Sequence, residues 1–279
     1  MSIIKDTYKI LLGETEYLFG RMTQRKNDIL VLALHSTPSS KSHEFEVLVN
    51  WLLQHYKPLS PNALNEVSQG DFEEGPYFIM TFDDGLKNNI VSARYLSSRG
   101  IQAIYFIVPE FIEANDGEAF YIKNIRPNPD RRIDNRKEDV TPMSWEDLQE
   151  LLSLGHHIGS HTMSHTLDKS MHSEQIEHEI LKSKKVLEEK LKISVNHFAS
   201  PNNTLMSVNE ECAALIKKTY QFHHTTVPGL FDASQLKRGI VYRRNIECHW
   251  VSGKIKYSLG YFDLPRWQGL RNALSLLVP

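Results

Sequence analysis

The chain has 279 residues, of which 41% are hydrophobic and 24% charged, a composition typical of a globular protein and not of a disordered one. Its 32 basic and 34 acidic residues nearly cancel, which argues against non-specific binding to nucleic acid or to anionic membranes. The two cysteines exclude a disulfide scaffold or a cysteine-rich zinc module. No signal peptide or membrane-spanning apolar run is recognisable, so we expect a cytoplasmic protein without an integral membrane segment.

Short apolar runs alternate with amphipathic segments along the chain. The runs predict strands at 29–34, 77–82, 101–108, 157–160, 197–199, 222–226 and 241–246. The amphipathic segments predict helices over 43–55, 88–99, 144–154, 173–191 and 207–218, and a last helix after Pro265. The fifth of these helices is expected to begin with a capping box from Ser207 to Glu210. Alternation of this kind predicts parallel strands, and about seven strands favour one α/β barrel domain spanning 1–279, with 247–279 as a C-terminal extension.

A long insert interrupts the alternation at residues 112–143. It has little apolar periodicity, and its middle, residues 123–139, carries six basic and four acidic residues. Loops this long are usually either functional or disordered. Two interpretations stay open: a solvated surface loop, or a lid whose arginines bind an anionic part of a substrate.

The first candidate for chemistry is Thr81–Gly85, which follows the apolar run 77–82. In α/β folds the active site lies at the carboxyl ends of the strands. Two adjacent carboxylates, Asp83 and Asp84, are costly there unless a cation neutralises them. A metal ion bound by one aspartate, with the other acting as a base, satisfies this condition. The alternative is an ordinary Asp-Gly turn.

The second candidate is a pair of histidines, His161 and His165, which follows the short run 157–160. Histidines at this spacing can bind one metal ion from a single helical turn or a compact loop. An isolated pair of this kind can also be two solvent-facing loop residues. Combined with one aspartate from the first motif, the pair matches a catalytic metal site that leaves a position open for water.

In these motifs the chain resembles the polysaccharide deacetylases, the NodB-homology domain of carbohydrate esterase family four. The resemblance extends over residues 35–246 and rests on Thr81–Gly85, on the run from His161 to His165 and on the run from His197 to Pro201. It implies a distorted (β/α)7 barrel and an amidohydrolase that uses a divalent metal, most often Zn²⁺.

The resemblance also implies roles for single residues. Asp84, His161 and His165 would bind the metal, and Asp83 would be the general base. The metal would polarise the amide carbonyl and lower the pKa of its bound water while Asp83 takes the proton. The oxyanion that forms would be held by the metal and by a backbone N–H.

The third motif departs from the family pattern. It usually reads Arg-x-Pro-Tyr, whereas this chain has Ala199, Ser200, Pro201 and Asn202. One branch of the family carries Ala in place of the Arg. We expect Pro201 and Asn202 to line the substrate site, and the backbone N–H of Asn202 can still hold the oxyanion. The hydrophobic wall that Tyr supplies would be missing.

The general acid that protonates the departing amine has several candidates. In the branch with Ala-x-Pro, a histidine at the end of the first strand takes this role, which indicates His35. The late Leu-x-x-His motif of other members would indicate His249. His223 and His224 are further candidates for acid or substrate contact, because strand alternation directs one of them into the barrel.

Taken together, these features predict metal-dependent hydrolysis of the N-acyl amide of an amino sugar. The missing signal peptide favours a nucleotide- or lipid-linked precursor of a surface polysaccharide over a cell-wall polymer. Two alternatives remain, namely hydrolysis of a small cyclic amide or ureide and non-catalytic binding of carbohydrate. The sequence predicts no nucleic-acid partner and indicates no particular oligomeric state.

Overall fold

A computed structural model describes residues 29–69, 75–126, 140–202, 204–229, 233–248, 250, 252–259 and 267–277. Within these residues the strands all pair in parallel in one sheet. They are β1 (Ile29–Leu34), β2 (Lys57–Pro58), β3 (Tyr77–Phe82), β4 (Ala103–Ile107), β5 (His157–Ser160), β6 (His197–Ala199), β7 (Phe222–Thr225), β8 (Ile240–Tyr242) and β9 (Arg244–Asn245).

The strand order nearly closes the sheet into a barrel. It runs β8-β7-β6-β5-β4-β3-β1-β9, with β2 added beside the beginning of β3. The two ends of this order, β8 and β9, are separated along the chain by Arg243 alone. The sheet is therefore nearly closed, and with helices around it the architecture is the predicted (β/α)7 barrel.

Helices connect the strands and cover the outside of the sheet. They are α1 (Ser42–His55), α2 (Leu64–Gln69), α3 (Asn89–Ser98), α4 (Pro109–Ile112), α5 (Gly117–Phe120), α6 (Trp145–Ser153), α7 (Ser173–Glu177), α8 (Ser183–Leu191), α9 (Thr204–Ser207), α10 (Glu210–Thr219), α11 (Ala233–Lys237), α12 (Ser252–Leu259) and α13 (Gln268–Leu277). Short 3-10 turns lie at Ser39–Lys41 and Pro61–Ala63, and π-helical turns at Tyr121–Ile125 and His178–Lys182.

Both faces of the strands are buried, as expected for a parallel sheet covered on each side. In β1, Ile29 and Val31 belong to an inner cluster that fills the barrel, whereas the alternate residues Leu30 and Leu32 pack outward under the helices. The inner cluster includes Leu64 of α2. Because helices α2 and α11 close the end of the barrel where the strands begin, the carboxyl ends of the strands are left for a site.

Several predicted elements differ from those observed. The expected capping box at Ser207 is wrong, because Ser207 ends α9 and the side chain of Asn209 caps α10 by accepting from the backbone N–H of Cys212 at 2.8 Å. The long helix predicted over 173–191 contains a π-helical turn. The strand predicted over 241–246 is split around Arg243.

The insert is partly helical. Helix α5 and the π-helical turn Tyr121–Ile125 lie within it, while residues 127–139, which carry most of its charges, lie outside the described residues. Among the helices of the described residues, none is both long and apolar enough to cross a membrane.

Candidate active site

The two predicted motifs meet at the carboxyl end of the barrel. Asp83 and Asp84 follow directly on β3, and His161 follows directly on β5. A cavity of about 380 Å³ opens at this end and is lined by both aspartates, by His161 and by His165. All four residues are at most 6% exposed, so their charges and dipoles act in a poorly solvated environment.

The backbone at both motifs is in an unusual conformation. Asp84, Thr162 and His165 have positive φ angles of 75°, 66° and 64°, a region that non-glycine residues rarely adopt and that is concentrated at functional sites. Gly85 follows with a φ of 84°, and a Cβ there would lie 3.2 Å from the side chain of Ile107. These turns direct the aspartates and histidines into the cavity.

Asp84, His161 and His165 form a set of ligand atoms suited to a metal ion. The Oδ1 of Asp84 lies 3.6 Å from the Nε2 of His161 and 3.5 Å from the Nε2 of His165. The three ligand atoms lie within 4.8 Å of one another. This Oδ1 is buried and has no hydrogen-bond partner, which is costly for a carboxylate oxygen unless a cation is bound to it.

The other ring nitrogens determine which atoms can bind the metal. The Nδ1 of His161 lies 2.8 Å from the carbonyl oxygen of Ala199, and the Nδ1 of His165 lies 3.2 Å from that of Asn124. A carbonyl can only accept, so each Nδ1 carries the proton and each Nε2 presents a lone pair. Burial lowers the pKa of both rings to about 4, which keeps them neutral as metal ligands must be.

Asp83 is held by a buried arginine. The guanidinium of Arg243 donates to both carboxylate oxygens of Asp83, at 2.6 and 2.9 Å, and also to Thr81 Oγ1 at 3.0 Å and to the carbonyl of Thr225 at 3.3 Å. Burial by itself raises the pKa of Asp83, but the charge of Arg243 outweighs it and holds that pKa well below its usual range. Asp83 is therefore ionised. Arg243 supplies the cation beside Asp83.

His35 lines the same cavity as the metal-binding set and pairs with a second carboxylate. Its Nδ1 is 2.9 Å from the Oε1 of Glu247, and both residues line the cavity. Burial lowers the pKa of His35, but the Glu247 carboxylate, helped by the charges of Asp84 and Asp83, outweighs burial and raises it to about 10. A protonated imidazolium thus faces the cavity.

The remaining predicted residues divide between the cavity wall and the barrel structure. Asn202, with a φ of 56°, lines the cavity, whereas its neighbour Pro201 does not. His224 packs against Phe106 at 4.9 Å between ring centres, with its Nε2 3.1 Å from a nitrogen of His197. His223 contacts Ser200 instead. These two strand histidines lie outside the cavity wall, and His249 lies outside the described residues.

The insert contributes directly to the site. Tyr121, Ile125 and Arg126 line the cavity, and the carbonyl of Asn124 is the partner of His165 described above. The described part of the insert therefore supplies a wall of the cavity and one supporting contact of the candidate metal centre.

Two residues of the site, Arg243 and Glu247, were not predicted. A signal for Arg243 was available. Side chains alternate along a strand, so residue 243 shares with Val241 the face that points into the barrel. Glu247 has no such local signal. It follows β9, which pairs with β1, and this pairing brings it to His35 from the far end of the chain.

The barrel, with its aspartate and histidine residues at the carboxyl ends of the strands, indicates the carbohydrate deacetylase class. Residues 73–220 match the family model for polysaccharide deacetylase. Because this match covers more than half of the chain, the protein belongs to the polysaccharide deacetylase family, as the motifs predicted. No curated protein matches the chain significantly.

Solved structures show the same fold. IcaB from Ammonifex degensii is similar with a TM-score of 0.64 and 17% identity, over 85% of this chain and 99% of that one. The Streptococcus pyogenes deacetylase PplD in complex with acetate has a TM-score of 0.63 and 15% identity, over 84% and 99%. BC0361, a polysaccharide deacetylase from Bacillus cereus, has a TM-score of 0.60 and 20% identity, over 84% of this chain and 69% of that one. At these identities the similarity supports the barrel fold alone.

Proposed function

We propose that this protein hydrolyses the N-acyl amide, such as an N-acetyl group, of an amino sugar in a metal-dependent reaction. The observation that carries the proposal is the buried, unpartnered Oδ1 of Asp84 facing the Nε2 atoms of His161 and His165. These three residues would hold a divalent cation, and a set of two imidazoles and one carboxylate suits Zn²⁺. When bound, such a cation polarises a carbonyl and lowers the pKa of water.

Asp83 is the proposed general base. It adjoins the ligand Asp84, and its Oδ2 lies 4.0 Å from the Nε2 of His161, so it borders the space where water would attack. Arg243 keeps the carboxylate ionised and fixes its plane through two hydrogen bonds. An ionised, oriented carboxylate can accept the proton of the attacking water.

His35 is the proposed general acid. It must deliver a proton to the departing amine, and Glu247 keeps its ring protonated at neutral pH. Glu247 also orients the ring through the contact at Nδ1, which leaves Nε2 as the donor. Asn202, in the third-motif segment, lines the cavity, and its backbone N–H is the proposed partner of the oxyanion.

The substrate is proposed to carry an anionic group beside the sugar, as in a nucleotide- or lipid-linked precursor of a surface polysaccharide in the cytoplasm. The charged residues of the cavity wall support an anionic substrate. In the cavity wall, Asp83 is paired with Arg243 and Glu247 with His35. Arg126 interacts with the Tyr121 hydroxyl, and no carboxylate of the described residues pairs with it. A guanidinium in a cavity wall suits phosphate or carboxylate.

One experiment tests the reaction. Acetate release is measured from an N-acetylhexosamine linked to a nucleoside diphosphate, from the free sugar and from a neutral oligosaccharide, with bound zinc measured in parallel. Asp83→Asn should keep its zinc and lose roughly 10²–10⁴-fold in kcat. Full activity of Asp83→Asn would refute the base. Zinc binding by the wild type without release from any of the N-acetyl sugars would favour a binding protein.

A second experiment tests the anionic group. Arg126→Gln should raise KM for the diphosphate-linked sugar by roughly 10-fold or more, the effect of losing a charge-assisted hydrogen bond, and leave the free sugar unchanged. Arg99→Gln is the matched control, because Arg99 is exposed and packs on Tyr95, away from the cavity. An equal KM for Arg126→Gln and the wild type would refute the anionic substrate.

A further inference from the structure

The loop between the two histidine ligands is fastened by a buried glutamate. The Oε2 of Glu179 accepts from the backbone N–H of Met163 at 3.0 Å and from that of Ser164 at 2.9 Å. Its Oε1 accepts from the hydroxyl of Ser164 at 2.8 Å. Glu179 is 5% exposed, and its Oε1 also lies 3.4 Å from the Nδ1 of the neighbouring, exposed His178.

This loop cannot hold its shape by backbone preference alone. Thr162 and His165, on either side of the fastened residues, have positive φ angles, which persist only where surrounding contacts over-determine them. On its other side, the carbonyl of Met163 accepts from the backbone N–H of Glu110 at 3.0 Å. The segment is therefore held from two directions, by a backbone contact and by the Glu179 carboxylate.

The position of Glu179 comes from a local irregularity in the helix. It lies in the π-helical turn His178–Lys182, between α7 and α8. π-helical turns add a residue to a helix and are frequent at functional sites. The turn places the Glu179 carboxylate beside the loop. The helical periodicity of residues 173–191 does not distinguish Glu179 from the surface glutamates near it in the sequence.

We propose that Glu179 is a positioning residue for the metal centre, whose carboxylate holds the loop so that the Nε2 atoms of His161 and His165 face Asp84. The inference rests on the proposed function, because a metal ion is what these nitrogens would bind. Glu179 acts through the loop backbone and touches neither substrate nor reacting atoms.

The hydrogen-bond pattern distinguishes acceptor geometry from charge. A glutamine can place its carbonyl oxygen where Oε2 lies and donate its amide to the Ser164 hydroxyl, which can accept. Glu179→Gln should therefore keep all three contacts. Glu179→Ala removes them and leaves two buried N–H groups without a partner. Removal of a contact that supports a metal ligand typically weakens metal affinity 10–100-fold.

The test measures zinc affinity by competition with a chromophoric chelator, the visible spectrum of the Co²⁺-loaded protein and the melting temperature without metal. Glu179→Ala should bind zinc 10–100-fold more weakly and change the Co²⁺ spectrum, and Glu179→Gln should stay within 3-fold of the wild type. Glu188→Ala is the matched control. Glu188 lies on α8 and accepts from the backbone N–H of Val195 at 2.9 Å, away from the cavity, so its loss should leave both metal readouts unchanged.

Zinc affinity of Glu179→Ala within 3-fold of the wild type, with the same Co²⁺ spectrum, would overturn the proposal. If Glu179→Ala does not fold, Glu179→Asp replaces it, because the shorter side chain withdraws the carboxylate from the loop while keeping its charge. The same affinity limits then apply. A wild-type protein that binds no zinc would refute the proposed metal site itself, an outcome distinct from a bound metal that is indifferent to Glu179.

Discussion

Replacement of Arg243 by methionine isolates what the arginine does for Asp83. The substitution keeps an apolar stem against Phe106, over which the guanidinium lies at 5.2 Å, and removes both hydrogen bonds to the carboxylate. The remaining Asp83 is 3% exposed. An unpaired carboxylate buried to this extent takes up a proton in preference to staying charged.

Proton uptake gives the magnitude of the effect and its pH dependence. Relative to an unfolded-state pKa of about 3.9, holding Asp83 neutral costs about 1.4 kcal/mol for each pH unit above that value. The cost is about 1.5 kcal/mol at pH 5 and about 4 kcal/mol at pH 7, comparable with the roughly 3–5 kcal/mol for breaking a buried ion pair. In the wild type the pKa of Asp83 is lowered, so this group contributes stability above pH 4 that is lost only as the pH falls further.

Urea unfolding at pH 5, 6 and 7 measures this cost. The stability gap between the wild type and Arg243→Met should widen with pH, and Arg243→Met should be inactive at pH 7 because its base is protonated. The double variant Asp83→Asn with Arg243→Met carries no ionisable group at this position. The difference between its free energy of unfolding and that of the wild type should therefore not change over the same pH range. A gap that is constant between pH 5 and pH 7, or below about 1 kcal/mol at pH 7, would refute the reasoning.

Three further outcomes follow from the site. Glu247→Gln removes the charge that raises the pKa of His35, so the alkaline limb of the kcat profile should move to lower pH by roughly 1–3 pH units; an unmoved limb contradicts His35 as the acid. Zinc at 100 times its Kd should stabilise the wild type by about 2.7 kcal/mol in thermal unfolding, and the double variant His161→Ala with His165→Ala should show no such gain. Gly85→Ala should cost at least about 1 kcal/mol in chemical unfolding, because its φ is 84°, and equal stability would show that the turn adapts.

Much of the barrel could be predicted because the relevant signals are local. The apolar runs at Ile29–Leu34, Tyr77–Phe82, His157–Ser160 and His197–Ala199 coincide with β1, β3, β5 and β6. Burial on both faces makes β1 and β3 almost continuously apolar, so the boundaries of these two strands are visible in the sequence. The missed helix α2 has only Leu64 and Val67 buried within six residues, too few to establish a helical period.

The predictions of local structure failed where the local sequence pattern permits more than one structure. Ser207 and Asn209 both precede a glutamate-containing segment and both suit a helix N-cap. The choice between them depends on where α9 ends. The π-helical turn at His178–Lys182 is likewise invisible in a pattern that satisfies helical periodicity throughout, because a single inserted residue alters the direction of side chains and not their composition.

The amino-acid sequence by itself determined the chemistry available at two strand ends. Adjacent aspartates at the end of β3 and a spaced pair of histidines after β5 are short-range patterns, and parallel strands bring their carboxyl ends to one edge. The charge state of those groups depends on partners that the sequence does not place beside them. Arg243 is 160 residues from Asp83, and Glu247 reaches His35 because β9 pairs with β1. Only closure of the barrel brings them within hydrogen-bond distance, and at that distance Arg243 keeps Asp83 ionised and Glu247 keeps His35 protonated.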